Sequence, residues 1–261
     1  MRVSTATITA NTEIRPGLHL IALHAPQLAQ AIQPGQYCML RCCDLLATDP
    51  LLRRPFFIQS VQRQQGDCAL LVHRRGRGTT WLTKQGEGAV LDLLAPFGHG
   101  WVIPPTTRNL LLVNEGTNIA ALTLLAQHAV EQELSVTLVS YILQPEDAYP
   151  PALLPPEVEY HNIAPRTPAV IGVGGALVDD HTLDPYLTWA DAVYLSVSHE
   201  TSVMLYNSYE PLRRKNFAQC TVIQPLVCAS GVCLACSIET YSGPRLLCRD
   251  GPVFALREVA R

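Results

Sequence analysis

Four cysteines near the end of the chain have the spacing of a metal site. The segment CASGVCLACSIETYSGPRLLC places Cys228, Cys233, Cys236 and Cys248 in the pattern C-x4-C-x2-C-x11-C. Zinc ribbons use paired C-x2-C knuckles, whereas the four-then-two spacing is that of plant-type [2Fe–2S] ferredoxins. The intervening loop residues are small or apolar, so the loop can wrap closely and direct backbone N–H groups at bridging sulfides. The spacing therefore predicts a [2Fe–2S] cluster with these four ligands.

Two other interpretations of the segment are a zinc site and four unrelated buried cysteines. The spacing disfavours zinc, and the second interpretation requires a coincidence of three cysteines on one tight loop. The five remaining cysteines show no metal-binding pattern; they are Cys38, Cys42, Cys43, Cys68 and Cys220. The adjacent pair at 42 and 43 lies in strand-like sequence, which predicts a core or edge position, with a second metal site as the weaker alternative.

Composition limits the classes of partner. The chain has 261 residues, 48% of them hydrophobic, which is enough for two compact domains. Charged residues make up 16% and the net charge is −3, so we expect no nucleic-acid partner. The longest apolar stretches, such as Ile119–Val130, are too short to span a bilayer, and the first residues lack a signal-peptide core. We therefore expect a cytoplasmic chain without a membrane span, where disulfides are rare.

The sequence divides into three parts. Residues 1–103 contain short alternating or apolar runs bounded by Gly, Pro and Asp, which predict a small β-barrel: VSTATITANTEI, LHLIALHAP, CALLVHRR and GAVLDLLAPFG. Two prolines at 104 and 105 mark a boundary, after which strands alternate with helices through residue 219, as in a parallel α/β sheet. Residues 220–261 form the cysteine module.

Within the second part, individual elements can be assigned. We predict strands at NLLLV (109–113), LSVTLVSYI, AVIGVGG and AVYLSVS, and helices over 119–132 and 202–212. The Pro-rich segment QPEDAYPPALLPPEVEY predicts a surface loop, and the glycines of VIGVGGALVDD predict a turn.

The barrel carries three segments that could bind a flavin, the cofactor class that couples two-electron to one-electron chemistry. In LLRRPFFIQS, Arg54 could clamp a pyrophosphate with its planar fork. In LVHRRGRGTTWL, Gly76, Gly78 and Thr79 stand where a strand could turn into a helix and admit a phosphate. A further Gly-rich turn is APFGHGW. Each segment alone is weak evidence, since Arg-Pro usually marks a strand edge and G-x-G-T is often only a turn.

In this order, and followed by CRDGPVF, these segments resemble the family of dihydroorotate dehydrogenase electron-transfer subunits, within the ferredoxin-reductase-like superfamily. The resemblance covers nearly the whole chain. It implies an FAD-binding β-barrel, a Rossmann-like NAD-binding α/β domain and a C-terminal [2Fe–2S] module. Carried over by motif, the FAD contacts are Arg54, Pro55, Phe56, Phe57, Leu71, Val72, His73, Gly78 and Thr79. Of these, Arg54, Gly78 and Thr79 would hold the phosphates, and the strands at 56–57 and 72–73 would line the isoalloxazine.

The resemblance also implies a function. The chain would relay electrons through FAD and the cluster between an external redox partner and the FMN of a catalytic dihydroorotate dehydrogenase subunit, in a heterotetramer that serves pyrimidine biosynthesis. No base or substrate pocket for dihydroorotate is evident, so we assign no catalytic residue and expect no turnover by this chain alone. The alternatives are an NAD(P)H-dependent ferredoxin-reductase-like or sulfide-dehydrogenase-like small subunit, and a non-catalytic iron–sulfur sensor or scaffold.

The chain departs from the family pattern at two places. Phe57 stands where the family usually has a Ser that faces the flavin's reactive edge. In VNEGTNIAAL only Gly116 remains of a Gly-rich turn that ends in Ala-Pro, and Glu115 adds negative charge where a dinucleotide pyrophosphate would lie. The Cys-Gly-Pro turn near the nicotinamide is also missing, because the chain has LSVSHETSVML there. We therefore hypothesise that the NAD(H) site is weakened or lost.

Overall fold

The first half of the chain closes into a six-stranded barrel. The structure, a computed structural model, describes residues 2–44, 46–142, 148–163 and 181–260. The barrel order is β1-β2-β5-β4-β3-β6. Its strands are β1 (Arg2–Arg15), β2 (Leu18–His24), β3 (Tyr37–Leu40), β4 (Arg54–Gln62), β5 (Asp67–His73) and β6 (Val90–Phe97), with short helices α1 (Pro26–Ala31) and α2 (Arg77–Thr83). Alternate residues along β2 are buried in the barrel core, as two-residue periodicity requires.

The second half forms a sheet in the order β14-β11-β10-β7-β8-β9. Its strands are β7 (Asn109–Glu115), β8 (Ser135–Tyr141), β9 (Glu159–Ile163), β10 (Ala192–Ser196), β11 (Ala218–Thr221) and β14 (Val253–Ala255). All neighbours are parallel except β14, which is antiparallel to β11. The helices are α3 (Ala120–Glu131), α4 (Asp184–Trp189) and α5 (His199–Ser208). The strand order reverses at β7, so a crevice opens at the carboxyl ends of β7 and β10.

The cysteine segment is inserted between the last two strands of this sheet. It contains the short hairpin of β12 (Ser237–Ile238) and β13 (Arg245–Leu246), followed by α6 (Leu247–Asp250), and α7 (Leu256–Val259) ends the chain. Because β14 follows the cysteines and pairs with β11, the cysteine loop is tethered to the sheet at both ends. The predicted domain boundaries after residues 103 and 219 stay predictions.

The barrel and the sheet are joined by polar and aromatic contacts. Gln127 of α3 accepts a hydrogen bond from the Val61 amide at 3.0 Å and donates one to its carbonyl at 2.6 Å. The Trp101 indole donates to the Ala121 carbonyl at 2.8 Å, and its ring meets Tyr194 edge-on at 5.5 Å. These contacts fix the cleft between the two halves.

Most of the predicted elements are confirmed. Strands occur at 109–115, 135–141 and 192–196, and α3 covers the predicted helix within a residue at each end. The prediction of helix over 202–212 is correct only in part, because α5 begins at His199 and ends at Ser208, before a 3-10 turn (Glu210–Arg213). The loop prediction for the Pro-rich segment is wrong at its end, where β9 pairs with β8. The strand predicted at AVIGVGG and the turn at VIGVGGALVDD lie outside the described residues.

None of the helices in the described part of the chain is long and apolar enough to cross a membrane.

Candidate functional site

The four predicted ligand cysteines lie together as two pairs. The Cys228 and Cys233 thiols interact on the loop, and those of Cys236 and Cys248 interact beneath it. Each iron of a [2Fe–2S] cluster takes two cysteine sulfurs, so a pairwise arrangement suits two irons. Across the described ranges, no three His, Cys, Asp or Glu side chains gather as they would around a single metal ion.

The β12–β13 hairpin brings the buried cysteines, Cys236 and Cys248, together. Cys236 directly precedes β12, and Cys248 lies in α6, two residues after β13 ends. The hairpin therefore places them side by side, and the Leu247 amide donates to the Cys236 carbonyl at 3.0 Å. Both cysteines are buried, whereas Cys233 is exposed. One face of the site is thus shielded and the other opens to the surface.

The loop backbone is shaped to surround an anion. Ala229, Gly231 and Leu234 all have positive φ, at 53°, 79° and 57°. Two of them are not glycine, and this conformation costs such residues free energy, so it persists only where the surroundings enforce it. Left-handed residues in a short loop turn neighbouring N–H groups toward one concave side, an arrangement that many iron–sulfur sites use.

The electrostatics of the thiols reflect this concavity. Hydrogen bonds from the Ser230 side chain, and then from the backbone amides of Cys233 and Ser230, lower the pKa of Cys228 to about 5. The Ser230 amide lies 3.4 Å from the Cys228 sulfur. Burial, and then the neighbouring Cys236 thiol, raises the pKa of Cys248 to about 11, against a lowering hydrogen bond from the Gly231 amide. The loop thus offers N–H donors to sulfurs on both sides of the site, which fits a bound [2Fe–2S] cluster.

Next to the cysteines lies a cleft of about 190 Å³ between the barrel and the sheet. Its barrel wall consists of Tyr37 and four predicted flavin contacts, Pro55, Phe56, Phe57 and Leu71. The facing wall comes from the turn after β7, the segment after β11 and the start of α6. An apolar slot with a few polar groups is the type of site that holds a planar aromatic ring.

The β5 strand shows which predicted flavin contacts face this cleft. Leu71 lines the cleft, whereas the Val72 side chain is fully buried in the barrel core. His73 is half-buried. Side chains alternate along a strand, so only the backbone of Val72 could meet a ligand in the cleft.

The predicted phosphate contacts converge at the start of α2. Arg53 is held by Asp92, with 2.6 Å between the guanidinium and the carboxylate. The Arg54 Nη1 donates to the Leu52 carbonyl at 2.5 Å, and its Nε lies beside Gly78. A Cβ on Gly78 would lie 3.2 Å from the Cys42 Cβ, a tight contact, and 3.5 Å from the Arg54 Nε, an ordinary one, so glycine leaves the backbone open beside Arg54. An arginine guanidinium next to an accessible stretch of backbone suits the binding of a pyrophosphate.

Thr79 is placed differently from the other two. Its hydroxyl accepts hydrogen bonds from the Arg75 amide at 2.9 Å and the Gly76 amide at 3.1 Å, and can donate to the Gly76 carbonyl at 3.1 Å. It therefore closes the turn that leads into α2. A phosphate contact by Thr79 and the other individual FAD contacts stay predictions.

The crevice at the carboxyl ends of β7 and β10 is bridged by the chain's own groups. Glu115, the last residue of β7, accepts a hydrogen bond through Oε2 from the amide of Ser198, the residue that caps α5, at 2.7 Å. The Ser196 hydroxyl donates to the Asn118 carbonyl at 2.8 Å. A carboxylate thus occupies the place where a dinucleotide-binding sheet receives phosphates.

Sequence reasoning missed several side chains of the cleft. They are Tyr37, Thr117, Gln224, Ile223 and Leu247. No local motif marks them, since each reaches the cleft from a different element. Among them only Gln224 had a sequence signal, because it lies four residues before Cys228.

Comparison with known proteins agrees with these features. The iron–sulfur cluster binding domain of dihydroorotate dehydrogenase B matches residues 224–260. Over 263 residues, 97% of this chain and 96% of the relative, the chain is 24% identical to the dihydroorotate dehydrogenase B (NAD(+)) electron transfer subunit of Desulforamulus reducens. A subunit of the same name from Geobacillus thermodenitrificans is 30% identical over 135 residues, 51% of this chain and 52% of that subunit.

Along nearly its whole length the chain is similar to these electron transfer subunits. Among solved structures, an NADH-dependent reduced ferredoxin–NADP oxidoreductase matches with a TM-score of 0.77 and 18% identity, covering 98% of this chain and 90% of that one. A ferredoxin NADP+ reductase from Neisseria gonorrhoeae matches at 0.59 with 14% identity, covering 84% and 98%. The predicted ferredoxin-reductase-like fold and iron–sulfur module are confirmed, and the predicted electron-transfer role agrees with the names of the relatives. The four cysteines lie inside the matched range, and their individual roles as ligands stay predictions.

Proposed function

We propose that this chain is the electron-transfer subunit of a dihydroorotate dehydrogenase. It would carry FAD in the cleft and a [2Fe–2S] cluster on the four cysteines, and it would pair with an FMN-containing catalytic subunit in a heterotetramer. When bound, the flavin supplies the exchange between two-electron and one-electron steps. The chain's own residues then hold the two groups next to each other, exclude water between them and present the cluster to a partner.

The observation that carries the proposal is the shared apolar core between the cleft and the cysteines. Leu247 lines the cleft, and the next residue, Cys248, is a predicted cluster ligand. Tyr37 packs in the same core, stacked on Phe97 at 5.7 Å and edge-on to Phe57 at 6.3 Å. Electrons passing between the cleft and the cluster would therefore cross a dry, packed region only a few side chains wide.

The surface beside the cluster suits a protein partner. The cysteine loop exposes Val232 and Leu234, at 81% and 62%, together with Cys233. Ile223 and Val227, on the segment that leads into the loop, are also exposed, at 50% and 43%. Apolar side chains grouped around a redox centre favour a docking face, since an isolated surface would otherwise leave them in water.

We further propose that NAD(H) is not the efficient electron donor or acceptor. The support is the Glu115 bridge to Ser198, which a dinucleotide would have to displace. A negative charge 4 Å from a phosphate charge costs about 4 kcal/mol near a protein surface. Glu115 is half-buried, so solvent screening reduces this cost.

The test is anaerobic co-purification of the chain with its catalytic subunit, followed by stopped-flow spectroscopy. We expect one FAD and two irons per chain, rapid reduction of both when dihydroorotate is supplied to the complex, and slow reduction by NADH or NADPH. A preparation that contains zinc and no flavin would overturn the proposal. Fast reduction by NADH or NADPH without the catalytic subunit would favour the reductase-like alternative, and a cluster without flavin would favour the sensor.

The proposed compartment is the cytoplasm. All nine cysteines are free thiols, including the five that are not predicted cluster ligands. A reducing compartment keeps such thiols from forming disulfides.

A further inference from the structure

The side-chain amide of one cleft residue, Gln224, makes no hydrogen bond through its nitrogen to the described protein. Gln224 lines the cleft, and its Nε2 is shielded from solvent with no hydrogen-bond partner among the described residues. A primary amide carries two N–H donors, and leaving them buried and unpaired is unfavourable. Such a group in a cleft indicates a ligand that accepts a hydrogen bond there.

Gln224 lies on the segment that leads into the cysteine loop. Residues 222–227 run without helix or strand from β11 to that loop. Val222, Ile223, Gln224 and Leu226 all line the cleft, and Leu226 is also buried against the cysteines. The segment that anchors the cluster loop therefore also forms this wall of the cleft.

Among the described residues, four polar side chains line the cleft, namely Tyr37, Thr117, Asn118 and Gln224. On the barrel wall only Tyr37 carries a polar group, and Phe57 contributes only an aromatic surface. The Tyr37 hydroxyl donates to the Cys248 carbonyl at 3.5 Å, and the Thr117 hydroxyl accepts from Arg75. Of the buried polar side-chain atoms that line the cleft, the Gln224 amide nitrogen is the one without a partner in the described part of the chain.

We propose that Gln224 donates a hydrogen bond to the acceptor edge of the flavin ring and so fixes the ring's orientation and reduction potential. The inference rests on the proposed function, because it takes FAD as the occupant of the cleft. An isoalloxazine carries ring nitrogens and carbonyl oxygens that accept hydrogen bonds, and it fits between apolar walls. Gln224 would then supply from the sheet side the polar contact that the barrel wall lacks.

The experiment uses the full chain, reconstituted anaerobically with FAD and the cluster. Two variants are compared with wild type: Gln224→Leu, which removes the donor at similar size, and Gln224→Glu, which replaces the amide with a carboxylate. The matched control is Gln65→Leu, because Gln65 is exposed in the turn between β4 and β5. The readouts are the FAD dissociation rate, the flavin absorption spectrum and the midpoint potentials of the flavin and the cluster.

We expect Q224L to release FAD about 3- to 10-fold faster, the effect of one lost hydrogen bond. Its flavin spectrum and potential should shift while the cluster potential and iron content stay at wild-type values. Q224E should lower the flavin potential, because a carboxylate disfavours added negative charge on the ring. Q65L should match wild type in every readout.

Outcomes for this proposal and for the proposed function are separable. FAD bound normally by wild type, with an unchanged dissociation rate and flavin potential in Q224L and Q224E, would overturn only the role of Gln224. Failure of the wild-type chain to bind FAD would overturn both. If Q224L does not fold, Q224E decides, since it keeps the length and polarity of the side chain.

Discussion

Replacing Gly78 with alanine should disable the phosphate end of the flavin site, while the same change at Gly76 should not. A Cβ on Gly78 would lie 3.2 Å from the Cys42 Cβ and 3.5 Å from the Arg54 Nε. A Cβ on Gly76 would meet nothing within 4 Å, and its backbone is extended, with φ −160° and ψ −177°, which any residue adopts. The two substitutions are thus chemically identical and lie two residues apart, but only the methyl on residue 78 crowds Cys42 and takes up space beside Arg54.

The G78A substitution should weaken FAD binding more than it lowers folding stability. Crowding Cys42 costs about 1–3 kcal/mol, whereas alanine in place of glycine inside α2 returns about 1 kcal/mol of helix propensity. The net loss of folding stability in G78A should therefore be about 0–2 kcal/mol. The same methyl takes up space beside Arg54 where a phosphate would lie. Losing one charge-assisted hydrogen bond of about 1.5–3 kcal/mol corresponds to roughly 10- to 100-fold weaker FAD binding.

The assay is FAD titration of both variants, followed by fluorescence quenching, with thermal unfolding measured in parallel. G76A should bind FAD within about threefold of wild type and change stability by less than about 0.5 kcal/mol. Wild-type FAD affinity in G78A would refute the assignment of Arg54 and Gly78 to the pyrophosphate. An equal loss in G76A and G78A would show that the turn as a whole matters and that the Arg54 contact does not.

Two further predictions concern the cluster and the crevice. The Cys248→Ser variant should lose most of its iron and acid-labile sulfide. The control is Cys43→Ser, a change at a buried cysteine outside the motif, which should keep both. Wild-type iron and sulfide content in C248S would contradict the ligand assignment. Glu115→Gln keeps an acceptor for Ser198 but removes the charge, so NADH should bind about 3- to 10-fold more tightly. Glu157→Gln, on an exposed loop, is the control for that titration, and equal NADH affinity in both variants would count against the role of Glu115.

The cluster end of the protein could be predicted well because its information is local. Four residues separate the first two cysteines and two separate the next pair, and those distances along the chain limit what a short loop can hold. The barrel and the alternating sheet were also predictable, because hydrophobic periodicity follows directly from strand and helix geometry. The Pro-rich segment was misjudged at β9, because pairing with β8 overrode the local loop signal.

The sequence alone determined the kind of cofactor each segment could bind and the order of those segments along the chain. Only the tertiary structure decided which side chains meet. It turned Leu71 into the cleft and Val72 into the barrel core, joined Glu115 at the end of β7 to Ser198 at the start of α5, and placed Gln224 in the wall of the cleft. The physical reason is that such contacts depend on how the barrel packs on the sheet, and residues far apart in sequence carry no local pattern that records that packing.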